Sequence, residues 1–375
     1  MALTDEDKAG RDLVVSWFRD LDLDVRIDAI GNVIAQWGGG GAPVMMGSHI
    51  DTVRMGGRYD GNLGVLAGLE VIESLMESGE SLRRPLAVAF FTDEEGSRFA
   101  PDMLGSLTYA GGLTVEAAHD IVANDGARVG DELARIGYLG AHPCPGPPPH
   151  AYVELHIEQG PVLEDRDIDI GVVEGVQGIS WQELVITGQS NHAGTTPMAL
   201  RHDAGYAAAA VATFVRDLAK GMGPSQVATV GSIRVHPDLI NVVPGRSTIT
   251  VDLRNTDAIA LNQAEERLAT FSRQLAADEG VRIAARSLAR FQPVDFDPGV
   301  VALVERAAAD LGFSTLRMPS GAGHDAQMLA RVCPAGMVFV PSVGGISHNP
   351  AEYTAAGDVV AGADVLLRVV VELAS

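Results

Sequence analysis

Leu86–Phe91 reads Leu-Ala-Val-Ala-Phe-Phe, six residues without a polar atom in any side chain, and it runs directly into Thr92-Asp93-Glu94-Glu95. A strand with one wetted face alternates apolar and polar residues, so an unbroken apolar run of this length predicts a central strand covered on both faces. That environment belongs to parallel sheets sandwiched between helices. The flanking pattern agrees. Val25–Ile27, Val33–Gln36 and Pro43–Gly47 read as strands, and Leu66, Leu69, Ile72 and Leu75 recur at helical spacing before a stop at Gly79. This βαβ rhythm predicts an α/β layer fold whose sites lie at the carboxyl ends of its strands.

After the Pro-rich stretch 143–149 and a strand over Ala151–Leu155, the pattern changes near Gln182. Leu184 and Ile186 alternate with polar residues, and Asp203 caps an Ala-rich helix. Strands follow at Val227–Val235 and Thr248–Arg254, then a helix over Asp257–Asp278 and a strand from Val281. The order β-α-β-β-α-β is that of a ferredoxin-like unit. With helices returning at Val300–Leu311 and from Gly357, the expected layout is a discontinuous α/β domain, residues 1–175 with 291–375. Into it is inserted an α+β domain, residues 176–290.

Charge narrows the partners. The 375 residues carry 27 Lys and Arg against 49 Asp and Glu, a net charge of −22, which opposes binding to nucleic acid or an anionic membrane surface. Residues 1–10 lack the apolar stretch of a secretory signal, and the two cysteines cannot build a disulfide framework, so a cytoplasmic protein is expected.

Four segments concentrate histidine and carboxylate where strands end. His49 and Asp51 follow the strand before Gly47, and Asp60 lies between Tyr59 and Gly61. Asp51 is placed to accept the second N–H of His49, and Asp60 to bridge two cations. His-x-Asp alone is equally the make-up of a polar turn. Adjacent carboxylates after Phe91 repel unless protons or cations intervene, and Glu94 with Glu95 can supply a metal ligand and a general base. His156, in His-Ile-Glu-Gln-Gly, and His348, in Ser-His-Asn-Pro, complete the set. The stretch 321–326 fits a loose dinucleotide fingerprint, without a clean preceding strand or a ribose acid. Neither a Gly-x-Ser-x-Gly elbow nor a Gly-Lys-Ser/Thr loop occurs.

Taken in order, 49–64, 91–99, 156–160, 188–197, 240–245, 320–325 and 344–350 resemble the M20 metallopeptidase clan. His-Ile-Glu-Gln-Gly and Asp-Glu-Glu-Gly-Ser-Arg-Phe resemble its amidase branch of N-carbamoyl-L-amino-acid hydrolases, allantoate amidohydrolases and β-ureidopropionases. The resemblance implies a homodimer with a two-metal catalytic domain and an inserted dimerisation or lid domain. His49, Asp60, Glu95, His156 and His348 would bind two divalent ions (Zn, or Mn, Co or Ni), with Asp60 shared. Glu94 would be the general base toward water, Asp51 would hold His49, and His192 would support the oxyanion across a dimer. Asn241 and Arg254 would bind the carboxylate of a small substrate, with Gln159 and Gly323 lining the pocket. An N-acyl amino acid deacylase or a di- or aminopeptidase of the same clan is the alternative activity, and an inactive metal-binding assembly protein the alternative class. Members of the clan usually carry about a helix more before the segment matching Thr4–Asp7, so the rim of the pocket is expected to differ.

Overall fold

The computed structural model describes residues 1–123 and 125–375. They form two compact units, Met1–Val176 with Asp295–Ser375, and Gln177–Val294.

The larger unit is built on a mixed sheet with a parallel centre. In spatial order its strands are Asp24–Ile27, Val33–Trp37, Leu86–Phe91, Val44–His49, Ala151–Ile157, Ala335–Val340, Ile170–Val176 and the two-residue Val294–Asp295, and Thr315–Ser320 also pairs with Ile170–Val176. The four in the middle, from Leu86–Phe91 to Ala335–Val340, are mutually parallel. Every residue of Leu86–Phe91 is fully buried, as its composition requires. Helices Asn62–Ser78, Pro298–Asp310 and Ala356–Ala374 pack on the sheet and contribute Val71, Ile72, Val304 and Leu366 to one continuous core. The chain goes from Val44–His49 to one neighbour, Leu86–Phe91, and then crosses back to the other, Ala151–Ile157. Such a reversal opens a crevice at the carboxyl edge of the sheet.

Three strands of this sheet, Ile170–Val176, Thr315–Ser320 and Ala335–Val340, were not expected from sequence. The second corrects the reading of 321–326: a strand does precede that stretch, with Pro319 inside it. Proline is tolerated there because the strand pairs on one side only, with a register shift between Met318 and Pro319.

In the smaller unit, strands Gly178–Thr187, Val227–His236, Arg246–Asn255 and Arg282–Phe291 alternate with helices Ala204–Met222 and Ala258–Asp278 in the order β-α-β-β-α-β. The sheet order is Arg282–Phe291, Gly178–Thr187, Arg246–Asn255, Val227–His236, all antiparallel. One sheet face meets both helices through Leu184, Ile186, Ile249, Val251, Val211 and Leu268. Asp203 caps the first helix by accepting the amides of Gly205 (2.9 Å) and Tyr206 (3.0 Å). Asp203→Ala orphans these donors and should cost about 1 kcal/mol in a chemical denaturation curve; an unchanged midpoint would show that the cap contributes nothing. Among the described residues no helix is long and apolar enough to cross a membrane.

Candidate metal centre

The four adjacent parallel strands each deliver a piece of one cluster at their carboxyl ends. His49 is the last residue of Val44–His49, Asp93-Glu94-Glu95 follow Leu86–Phe91, His156 is near the end of Ala151–Ile157, and His348 lies on the loop after Ala335–Val340. Asp60 sits on the turn that opens helix Asn62–Ser78. Gly61 there has φ 69°, and a Cβ would come within 2.4 Å of the His49 ring, so only glycine lets the helix start this close to the imidazole.

The hydrogen bonds of the two inner histidines fix their tautomers. His49 Nδ1 lies 2.9 Å from the Asp51 carbonyl, and His156 Nδ1 2.9 Å from the Ile157 carbonyl. A carbonyl only accepts, so each Nδ1 carries a proton, and a neutral ring then presents the Nε2 lone pair to the cleft. Apart from the Gly61 amide, which donates to His156 Nε2 at 3.2 Å, what these lone pairs face is also an acceptor. His49 Nε2 is 3.6 Å from Asp60 Oδ1 and 3.4 Å from Glu94 Oε2, and His156 Nε2 is 3.2 Å from Asp60 Oδ1. On the other side of Asp60, His348 Nε2 lies 3.4 Å from Asp60 Oδ2 and 3.2 Å from Glu95 Oε2. Lone pair facing lone pair is stable only with a proton or a cation between them.

Electrostatics express the same demand. Burial lowers the His49 imidazole, but the charges of Glu94, Asp60 and Asp51 outweigh it and raise it well above its ordinary value. Burial works to raise Asp60, yet hydrogen bonding to His156 and His49 holds its carboxyl far below the usual range. Burial lifts Glu94 well above it, against the pull of His49. Burial also raises Asp51, to about 6.

Two groups can hold an ion, each with ligand atoms within 4.8 Å of one another: His49, Asp60 and His156, and Asp60, Glu95 and His348. The donor set fits divalent metals, with imidazole and carboxylate mixed and one carboxylate shared. Glu95 Oε1 is buried without a hydrogen-bond donor, which a cation would remedy.

Asp51 differs from expectation. It meets His49 through its main-chain carbonyl; its carboxylate instead accepts the Glu94 amide at 3.2 Å. Gln159 lies inside the cluster, where its amide nitrogen donates to Asp60 Oδ2 at 2.9 Å and so holds that carboxylate. Gly323 is half-buried beside Met103. The remaining expected residues belong to the smaller unit. His192 is exposed and pairs across a two-stranded ribbon with Val242, next to Asn241, while its Nδ1 accepts the Gly194 and Thr195 amides. Arg254 lies over Trp181, with Nη2 2.9 Å from Asp252 Oδ2.

Several residues went unread in the sequence. Buried Glu154 accepts Ser48 Oγ (2.6 Å) and the Ala326 amide (2.8 Å), tying together three segments beneath the cluster. A lone charge in an apolar strand was its signal. With His156 and His324 it forms a third compact group, but its oxygens are occupied as braces. His324 donates or accepts at Ser320 Oγ (2.9 Å) and packs edge-on against His156, so the supposed dinucleotide stretch supports the cluster from behind. Burial and the nearby His156 charge lower its imidazole well below the ordinary value.

Comparison with known proteins accords with this geometry. The family model described as peptidase family M20/M25/M40 matches residues 45–372. The chain is 41% identical over 375 residues to an N-carbamoyl-L-amino-acid amidohydrolase of Rhizobium meliloti, covering 99% of this chain and 90% of the relative. It is 36% identical over 357 residues to the allantoate amidohydrolase of Escherichia coli, covering 94% and 87%. A crystal structure of an amidase of the hydantoinase/carbamoylase family from Burkholderia multivorans superimposes with a TM-score of 0.97 at 46% identity, over 100% of this chain and 92% of that one. On these matches over nearly its whole length, the chain belongs to peptidase family M20/M25/M40.

Proposed function

We propose that the protein is a metal-dependent amidohydrolase that cleaves a linear C–N bond of a small carboxylate, an N-carbamoyl amino acid or a related ureido acid such as allantoate. The observation that carries the reading is the pair of ligand groups sharing Asp60, with Glu94 beside them and outside both. Relatives named for ureido chemistry supply the substrate class.

Divalent ions held by His49, Asp60 and His156 and by Asp60, Glu95 and His348 would polarise the scissile carbonyl and lower the pKa of water. Glu94 accepts the proton of the attacking water and returns it to the leaving nitrogen. The smaller unit is assigned as the lid and dimerisation domain. In it His192 supports the developing oxyanion, and Asn241 with Arg254 takes the substrate carboxylate. Asp252 already orients the Arg254 guanidinium, whose planar fork suits a carboxylate better than an ammonium does.

The deciding experiment is a screen of the metal-reconstituted enzyme over ureido acids, allantoate, acyl amino acids and dipeptides. Release of ammonia or carbamate nitrogen from ureido acids alone is expected; preference for dipeptides or acyl amino acids would overturn the substrate class. Arg254→Lys should raise KM for carboxylate substrates about ten- to a hundredfold, the worth of one charge-assisted hydrogen bond, with metal content unchanged. An unchanged KM would remove Arg254 from the carboxylate site.

A further inference from the structure

His49 and His156 ride on strand ends, fully buried, each locked by a backbone carbonyl. His348 is placed differently. It lies on a loop, its side chain is 50% exposed, and its backbone is left-handed (φ 53°) just after Gly344 and Gly345, which are left-handed too. A non-glycine residue in that region persists only when its surroundings over-determine it. Close to it in sequence stands Glu352, which is 4% exposed and four residues beyond His348.

The Glu352 carboxylate faces both halves of the second ligand group. Its Oε1 accepts the amides of Tyr59 (2.9 Å) and Asp60 (3.0 Å), so it holds the turn that carries the shared carboxylate. Its Oε2 lies 3.1 Å from the hydroxyl of Ser347, the residue before His348. The same hydroxyl is 3.0 Å from Asp60 Oδ2. A serine has one proton to donate and cannot serve two carboxylates at once. Gln159 already donates to Asp60 Oδ2, which leaves the Ser347 proton for Glu352. The turn over Glu352 is also fitted closely: a Cβ on Gly57 would come within 2.1 Å of its carboxylate oxygen.

We infer that Glu352, acting through Ser347, is a positioning residue that clamps the Asp60 turn to the His348 loop and thereby sets the affinity of the Asp60–Glu95–His348 group for its ion. The inference rests on the two-metal reading of the site and adds which residues outside the ligands control the second ion. Partners that orient metal ligands typically change metal affinity about 10–100-fold when replaced.

The test is a titration of the metal-free chain with Zn²⁺ against a competing chelator. Wild type should bind two ions. Glu352→Gln should weaken one of them about 10–100-fold and the other, which shares only Asp60 with the clamp, by clearly less. Ser347→Ala should act in the same direction and Ser347→Thr, which keeps the hydroxyl, should restore binding; this pair carries the test if Glu352→Gln does not fold. A merely structural role would weaken both ions to the same extent and lower the melting temperature of the metal-free chain. Either that result or a wild-type titration in the variants would overturn the inference. A wild-type chain that binds no Zn²⁺ would overturn the two-metal reading itself.

Discussion

Glu94→Gln is expected to keep the metal content of the wild type and to lose about 10²–10⁴ in turnover, the usual worth of a positioned proton acceptor. Position separates Glu94 from its neighbour. Glu95 belongs to a ligand group with Asp60 and His348, whereas Glu94 stands outside both groups, 3.4 Å from His49 Nε2. Its amide is held by the Asp51 carboxylate, which fixes the backbone from which the side chain projects. Burial raises its carboxyl well above the ordinary range, which makes it the stronger proton acceptor. Glutamine preserves shape and removes the proton acceptor. Glu95→Gln, by contrast, should lose metal before it loses anything else. Metal analysis beside kcat decides: equal metal loss in the two variants would show that Glu94 is a ligand.

What was readable in the sequence follows from what each feature depends on. Leu86–Phe91 announced a central strand because burial on both faces leaves a local mark, and His49, Glu94, Glu95 and His156 stood out because they interrupt or end such runs. Asp203 and Asp257 were readable as helix starts because capping is a contact between near neighbours in sequence. Ala335–Val340 is as buried as Leu86–Phe91, yet Gly336 directly after Pro334 and Ala335 blurs its start, and the strand passed unread. Asp51 does accept the second N–H of His49, but through its main-chain carbonyl, an atom every residue has, so the sequence could not tell which oxygen would serve. Glu352 left no local mark at all. Its partner amide, that of Asp60, is 292 positions away, and only the folded sheet brings the two together.

Asp60 is the residue on which the whole centre should depend, since it alone belongs to both principal ligand groups. Asp60→Asn keeps the shape and a carbonyl oxygen that can still accept from Gln159, and the turn keeps its amide hydrogen bonds to Glu352. It removes the negative charge that His49, His156 and His348 all face. Both ions should therefore be lost together, and turnover with them, to a lower level than in Glu94→Gln. Stability supplies an independent reading. An ion present at about 100 times its dissociation constant stabilises the folded state by about 2.7 kcal/mol, because it binds the native chain and not the unfolded one. Chelator should accordingly lower the melting temperature of the wild type and leave that of Asp60→Asn where it is. Retention of one tightly bound ion in Asp60→Asn, with a chelator-sensitive melting temperature, would show that the groups do not share this carboxylate.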